Sequence, residues 1–195
     1  MKLRVEPGKH YSLPFLVGSK IFKKFREVAY LVTDWSLEYP YENTDSLDQN
    51  KLLGINLRAF KSSNVDSVML SSAHDSRKGI TTFAAYANNS EKRTDKNPMG
   101  YEIRPLFELE NGRLNGLGEN VDSFEVLIYR KSFRYVGIQV DLYSPLGNHI
   151  KKYTEEFRIS RKAAKSKWFR TIQLWFGGNN VAPVEYSIKY DRDIL

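Results

Sequence analysis

Hydrophobic and polar residues alternate along most of this chain with the period of two that a half-buried β-strand produces. Residues 102–110 show the pattern clearly, because Ile103 and Phe107 would face a core while Glu102 and Arg104 would face water. Nine other stretches rich in Val, Ile, Tyr and Phe predict further strands, at residues 30–39, 52–60, 66–72, 81–88, 124–129, 136–143, 153–159, 171–176 and 184–190.

Turn residues separate these stretches, and helical periodicity is scarce. Residues 144–148 (SPLGN) and 111–112 (NG) favour tight reversals of the chain. Only residues 21–27 and 160–167 predict helices, each of about two turns. About ten short strands with so few helices predict an all-β fold, a two-sheet antiparallel jelly-roll sandwich that forms one domain over residues 1–195.

Composition excludes several classes of site. The chain of 195 residues contains no cysteine, so disulfide frameworks, thiolate zinc sites and cysteine nucleophiles are excluded. No apolar run approaches the roughly 20 residues that cross a bilayer, and we expect no membrane span. The residues after Met1 lack the apolar segment of a signal peptide.

The sequence signals for catalytic and metal-binding residues are weak. Glu108 and Glu110 would share a strand face, but that face carries other charged residues and is typical of an exposed surface. His10, His74 and His149 are widely separated and show no metal-binding spacing. We therefore expect no catalytic residue, no metal and no cofactor.

The strongest charge signal is a basic run before the penultimate predicted strand. Residues 151–170 contain 8 basic and 2 acidic side chains, in a chain whose net charge is +7. Cations beside an aromatic ring can bind phosphates, acidic glycans or an acidic protein surface, whereas a solvated connection is the alternative. Nucleic acid is not expected, because no motif supports it. The candidate binding residues are Arg158, Arg161, Lys162, Lys165, Lys167 and Trp168.

Tryptophans are the other candidate ligand contacts, because sugars stack on exposed aromatic rings. Trp35, Trp168 and Trp175 are the three in this chain. Alternation with Leu37 and Tyr39 favours a core position for Trp35. Adjacent strand residues point to opposite faces, so we expect one of Trp175 and Phe176 to be buried and the other to face away.

The stretch TIQLWFGGNNVAPVEYSI at 171–188 resembles the closing signature of a group of β-sandwich proteins common in Bacteroidetes. The stretches NKLLGI at 50–55 and FAAYANN at 83–89 fit the same group. The resemblance implies a concanavalin-like jelly roll and no particular activity. Val184-Glu185 stands where that group has His-Asp. The residues Gly177, Gly178, Asn179 and Pro183 predict a fixed structural corner before the last strand.

Three functions remain open. The first is a non-catalytic structural or assembly subunit, such as a virion component of a phage of Bacteroidetes, whose basic run meets an acidic protein partner or a second copy of the chain. The second is a glycan-binding module. The third is a divergent carbohydrate enzyme. The first two favour a virion or cell-surface location over a cytoplasmic one.

Overall fold

Two antiparallel sheets pack face to face in the computed structural model, which describes residues 1–10, 19–41, 48–62, 65–172, 174–176 and 182–194. The strands are β1 (Lys2–Val5), β2 (Ile21–Lys23), β3 (Glu27–Ser36), β4 (Asn50–Asn56), β5 (Asp66–Asp75), β6 (Ile80–Asn89), β7 (Tyr101–Glu110), β8 (Arg113–Leu114), β9 (Ser123–Ser132), β10 (Tyr135–Tyr143), β11 (His149–Arg158), β12 (Trp168–Ile172) and β13 (Tyr186–Ile194). One sheet has the order β1-β13-β3-β9-β10-β11, and the other β2-β12-β4-β5-β6-β7-β8. The prediction of an all-β two-sheet jelly roll is confirmed.

The core lies between the sheets and is built from the inward positions of alternating strands. Val28, Tyr30 and Val32 of β3 are fully buried, as are Val68 and Leu70 of β5 in the facing sheet. Burying such side chains stabilises the fold by roughly 1.5–3 kcal/mol each. In the first half of β3, every second side chain therefore lies in the core.

The first and last strands pair with each other. β1 lies beside β13, with Lys2 opposite Lys189 and Val5 opposite Tyr186. The amino group of Met1 donates a hydrogen bond to the Tyr190 carbonyl at 2.5 Å. Both strands are therefore ordered by the protein's own sheet and need no partner to hold them.

A β-bulge in β7 makes the prediction for its first half wrong. Phe83 pairs with Phe107 while Ala84 pairs with Pro105, so one residue of β7 is left over and the strand reverses its faces. Ile103 is consequently exposed. Arg104 instead points between the sheets, where its Nη1 donates to Glu155 Oε2 of β11 at 2.7 Å.

The predicted helices are mostly wrong. Residues 21–23 form β2, which pairs with β12, and Glu27 already begins β3. The pairing of Phe22 with Phe169 favours a strand over a helix of two turns. Within 160–167, only Arg161–Ala164 is helical, which defines α1, and Ser90–Lys92 forms a 3-10 turn.

The C-terminal stretch confirms one prediction and corrects another. Phe176 lies in the core while Trp175 is only half-buried, as the strand alternation requires. The strand predicted at 171–176 is displaced, because β12 ends at Ile172 and Trp175 makes only an isolated bridge to Lys51. Pro183 lies in a bend before β13. The corner residues Gly177, Gly178 and Asn179 lie outside the described residues.

Candidate functional site

A cleft of about 610 Å³ opens at one end of the sandwich, between the β2 edge of the seven-stranded sheet and the β9–β10 hairpin. Its volume is within the range of small-ligand sites. Aromatic rings and cations dominate its wall. The lining residues are Lys23, Lys24, Phe25, Arg130, Phe133, Ala164, Ser166, Lys167, Trp168 and Phe169.

The floor of the cleft is an extension of the core. Phe25 and Phe169 are buried, and their ring centroids lie 5.5 Å apart. Phe169 belongs to β12, whose neighbours Trp168 and Arg170 point to the opposite face of the sheet. The floor is therefore apolar and fixed by the packing of the sandwich.

The corner between β2 and β3 places a lysine at the cleft in an unfavourable backbone conformation. Lys24 has a φ of 60°, in the left-handed region that favours glycine or asparagine. This conformation costs roughly 1–2 kcal/mol for a residue with a long side chain. Such local strain is frequently found at functional sites.

Trp168 forms the exposed aromatic wall. Trp168 is 39 % exposed, and the ring centroid of Phe60, from the β4–β5 connection, lies 6.3 Å from that of Trp168. The backbone of Trp168 is fixed, because its carbonyl accepts hydrogen bonds from Ala59 N at 3.1 Å and Ser166 Oγ at 2.9 Å. The start of β12, which carries the Trp168 side chain, is therefore held in place by the protein's own contacts.

Arg130 reaches the cleft from β9 in the other sheet. Its guanidinium carbon lies 5.5 Å from the Phe25 ring centroid and 5.7 Å from that of Phe169, within cation–π range. Its Nη1 donates to the carbonyl of Phe133 at 3.2 Å. Burial lowers the pKa of the Arg130 guanidinium.

Of the six predicted binding residues, the structure brings two into the cleft. Lys167 and Trp168 line it, whereas Arg158, Arg161, Lys162 and Lys165 lie exposed along the same connection outside it. None of these five cations forms a side-chain ion pair within the described part of the chain.

The connection is ordered by the protein's own contacts. Ser160 Oγ caps α1 by accepting from Ala163 N at 3.0 Å, and Ala163 is fully buried. Asn89 Nδ2 donates to the Arg158 carbonyl at 2.7 Å, and Glu91 accepts from Arg161 N at 2.6 Å. A partner is therefore not needed to order this segment, and its charge is the feature to be explained.

The cleft end of the sandwich is strongly cationic. The connections between strands at this end contain two acidic residues, Glu91 and Asp95, and twelve basic ones. The basic residues are Lys24, Arg26, Arg58, Lys61, Lys92, Arg93, Lys96, Arg134, Arg161, Lys162, Lys165 and Lys167. The described residues of the other connections between strands include four basic and six acidic side chains. The charge excess of the chain is thus concentrated around the cleft.

Sequence reasoning missed most of the cleft lining. Lys23, Lys24 and Phe25 fell inside the region predicted to be helical, and Arg130 and Phe133 lie on a hairpin distant in sequence. The positive φ of Lys24 has no signal in the sequence. The one available clue was the charge of residues 23–26, KKFR, close to an aromatic residue.

The other residues considered for chemistry have structural contacts. Glu108 accepts hydrogen bonds from Thr82 Oγ1 at 3.3 Å and Asn115 Nδ2 at 3.0 Å. His74 Nδ1 pairs with Thr81 Oγ1 at 2.9 Å, and burial lowers its pKa. Among the described residues, no group of three or more His, Asp or Glu could hold a metal ion. No helix in the described part of the chain is long and apolar enough to cross a bilayer.

No protein-family model matches the chain, and no curated protein matches it. Among solved structures it is similar to the alginate lyase PA1167 of Pseudomonas aeruginosa, with a TM-score of 0.50 and 12 % identity over 87 % of this chain. The match spans 65 % of the lyase. For LamAcat of Zobellia galactanivorans, the TM-score is 0.45 and the identity 10 %, over 100 % of this chain and 76 % of LamAcat. For the CBM2 module of the evolved Dit of Lactobacillus casei BL23 phage J-1, the TM-score is 0.38 and the identity 11 %. This match covers 90 % of this chain and 68 % of the module. At such identities the likeness to the lyase shows the fold alone.

Proposed function

We propose that this protein is a non-catalytic β-sandwich binding module that takes an anionic polysaccharide in the cleft. The observation that carries the proposal is the combination of an apolar aromatic floor, a fixed exposed Trp168 and four cations around one opening. Apolar faces of sugar rings pack on aromatic side chains, and cations attract the acidic substituents. A concave site that supplies both suits a charged glycan better than a neutral one.

The surrounding charge supports the same ligand class. Twelve basic residues in the connections at the cleft end create a positive field that attracts a polyanion from a distance. The exposed Arg158, Arg161, Lys162 and Lys165 extend this surface beyond the cleft, so a polymer rather than a single sugar would use it fully. Binding of this kind weakens as salt shortens the screening length to about 8 Å at physiological strength.

An assembly subunit that meets an acidic protein partner is the second candidate. Phe133, which lines the cleft, is 59 % exposed, and Phe60, beside Trp168, is 74 % exposed. Exposed aromatic residues next to arginine are typical of protein interfaces. A virion or cell-surface location suits both candidates, since both act by adhesion. The acidic ligands used in the test below separate them.

Affinity for a panel of polymers tests the proposal. We expect the protein to bind polygalacturonate and dextran sulfate, and not neutral dextran, in gel-retardation or titration experiments at low salt. Substituting Lys23, Lys24 and Lys167 together by glutamine should abolish most of this binding, since these lysines line the cleft. Tight binding of polyglutamate but not of the acidic polysaccharides would instead favour the protein partner.

A matched control separates the cleft from net charge. Lys9 and Lys78 lie in connections at the far end, and Lys151 lies near the far-end start of β11, so replacing these three lysines by glutamine removes the same charge from the other end of the sandwich. We expect this control to bind nearly as well as the unmodified protein. Equal loss in the two triple variants would contradict a ligand in the cleft.

A further inference from the structure

Arg130 differs from Arg104 and Arg134, two other half-buried arginines of the sandwich. Arg134, four residues later, forms an ion pair with Glu91, and Arg104 forms one with Glu155. No carboxylate of the described residues pairs with Arg130, which donates only to the carbonyl of Phe133. A half-buried guanidinium that lies over the Phe25 and Phe169 rings thus lacks an opposite charge from the part of the chain that the structure describes.

Such a cation is costly unless something supplies the missing anion. Removing a charge from water without a charged partner is unfavourable, and an opposite charge from a ligand would recover that free energy. The lowered pKa of Arg130 has the same cause, since burial disfavours its charged form. Arg130 lines the cleft, so the anion of a bound ligand can reach it.

The chemistry of the guanidinium selects the anion. A planar guanidinium offers two parallel N–H donors that match the two oxygens of a carboxylate, whereas a lysine ammonium is a point charge that accepts any anion. The hydrogen bond to Phe133 and the contacts with the Phe25 and Phe169 rings hold the guanidinium of Arg130 in place. Three lysines at the rim of the cleft are exposed, and their ammonium groups do not distinguish a carboxylate from another anion. They are Lys23, Lys24 and Lys167.

We infer that the cleft recognises a uronic acid unit, with Arg130 binding its carboxylate and Trp168 and Phe133 packing on its ring. This inference rests on the proposed function and narrows it from anionic polysaccharides in general to carboxylated ones. Sulfated polymers would bind through the rim lysines alone. The carboxylate is then a specificity determinant and the surrounding lysines are not.

Competition between two polyanions tests the inference. At matched charge and chain length, we expect the protein to bind polygalacturonate about tenfold more tightly than dextran sulfate, the size of one charge-assisted hydrogen-bonded pair. Arg130→Lys keeps the charge but loses the paired N–H donors, so it should bind the two polymers with similar affinity. Lys24→Gln is the control and should weaken the binding of both polymers by a similar factor.

The other possible outcomes of this experiment contradict different parts of the inference. Equal affinity of the unmodified protein for the two polymers would overturn the assignment of a uronic acid and leave the proposed function standing. A preference for polygalacturonate that survives Arg130→Lys, in a variant with an unchanged melting temperature, would overturn the role of Arg130. Failure of the unmodified protein to bind either polymer would overturn the proposed function itself.

Discussion

The Lys23 ammonium lies 4.5 Å from the centroid of the Trp168 ring, and the two residues are directly opposite each other in the pairing of β2 with β12. The register of two short strands thus fixes a cation against an exposed aromatic ring. This pair has one side open to the cleft, and the other cleft residues are arranged around it.

Replacing Trp168 by alanine should weaken polysaccharide binding by about fivefold or more, because an aromatic anchor of a binding site contributes at least about 1 kcal/mol. The stability of the fold should change little, since Trp168 is 39 % exposed. Titration calorimetry together with a melting curve checks both expectations. Trp168→Phe, which retains a ring, should bind with intermediate affinity, and full affinity of the alanine variant would contradict the role of the ring.

Lys24→Asn should make the protein more stable and a weaker binder. The left-handed backbone at this position suits asparagine, so the unfolding free energy should rise by up to about 1 kcal/mol. The lost charge should weaken binding of polyanions. Urea denaturation and a binding titration on the same sample measure both effects. A less stable variant would show that the strain of Lys24 has been misidentified.

Lys51→Met should stabilise the protein in a pH-dependent way. Burial lowers the pKa of the Lys51 ammonium to about 8 from 10.5. Between these values the unfolded state binds the proton more tightly, so the unfolding free energy contributed by Lys51 rises with pH and is lowest below about pH 8. The methionine variant should therefore be more stable by roughly 1–3 kcal/mol at pH 7, and this difference should shrink towards pH 10.

Urea denaturation at pH 7, 8.5 and 10 measures the difference in unfolding free energy between the unmodified protein and Lys51→Met. The titration of all other groups cancels in this difference. Lys96→Met, at an exposed lysine, is the control and should show no such trend. A constant difference across the pH range would contradict the desolvation of Lys51.

Gly54→Ala should destabilise the fold by about 2 kcal/mol, as overpacking of a tight interior does. A Cβ at this position would lie 2.4 Å from Met69 Cβ and 2.6 Å from the Val68 carbonyl oxygen, neither of which can move freely. Gly137→Ala is the matched control, because its Cβ would meet the far end of the Tyr129 ring, which can rotate away. Chemical denaturation compares the two, and an equal cost for both would contradict this account of β4–β5 packing.

The fold follows from the sequence because alternation reports directly on burial. Val28, Tyr30 and Val32 occupy every second position of β3, and all three are fully buried. The errors arise where a local event interrupts that period. One extra residue in β7 exposes Ile103, and cross-strand pairing overrides the apparent helix that contains Phe22.

The candidate site is only partly visible in the sequence because it is assembled from distant segments. Lys167 and Trp168 were found through the charge of one connection. Arg130 becomes a cleft residue only when β9 of one sheet meets β12 of the other, and its lack of an acidic partner among the described residues is a property of three-dimensional packing. No local pattern contains that information.

The most direct test of the central claim is a nuclear magnetic resonance titration of the labelled protein with a short oligogalacturonate. A ligand in the cleft should shift the indole N–H signal of Trp168 and the amide signals of residues 23–25, 130–134 and 164–169 the most. These shifts should saturate with a single affinity, and they should disappear in the variant in which Lys23, Lys24 and Lys167 are replaced by glutamine. An unshifted Trp168 indole, with the largest changes at the far end of the sandwich, would contradict the claim that the cleft is the binding site.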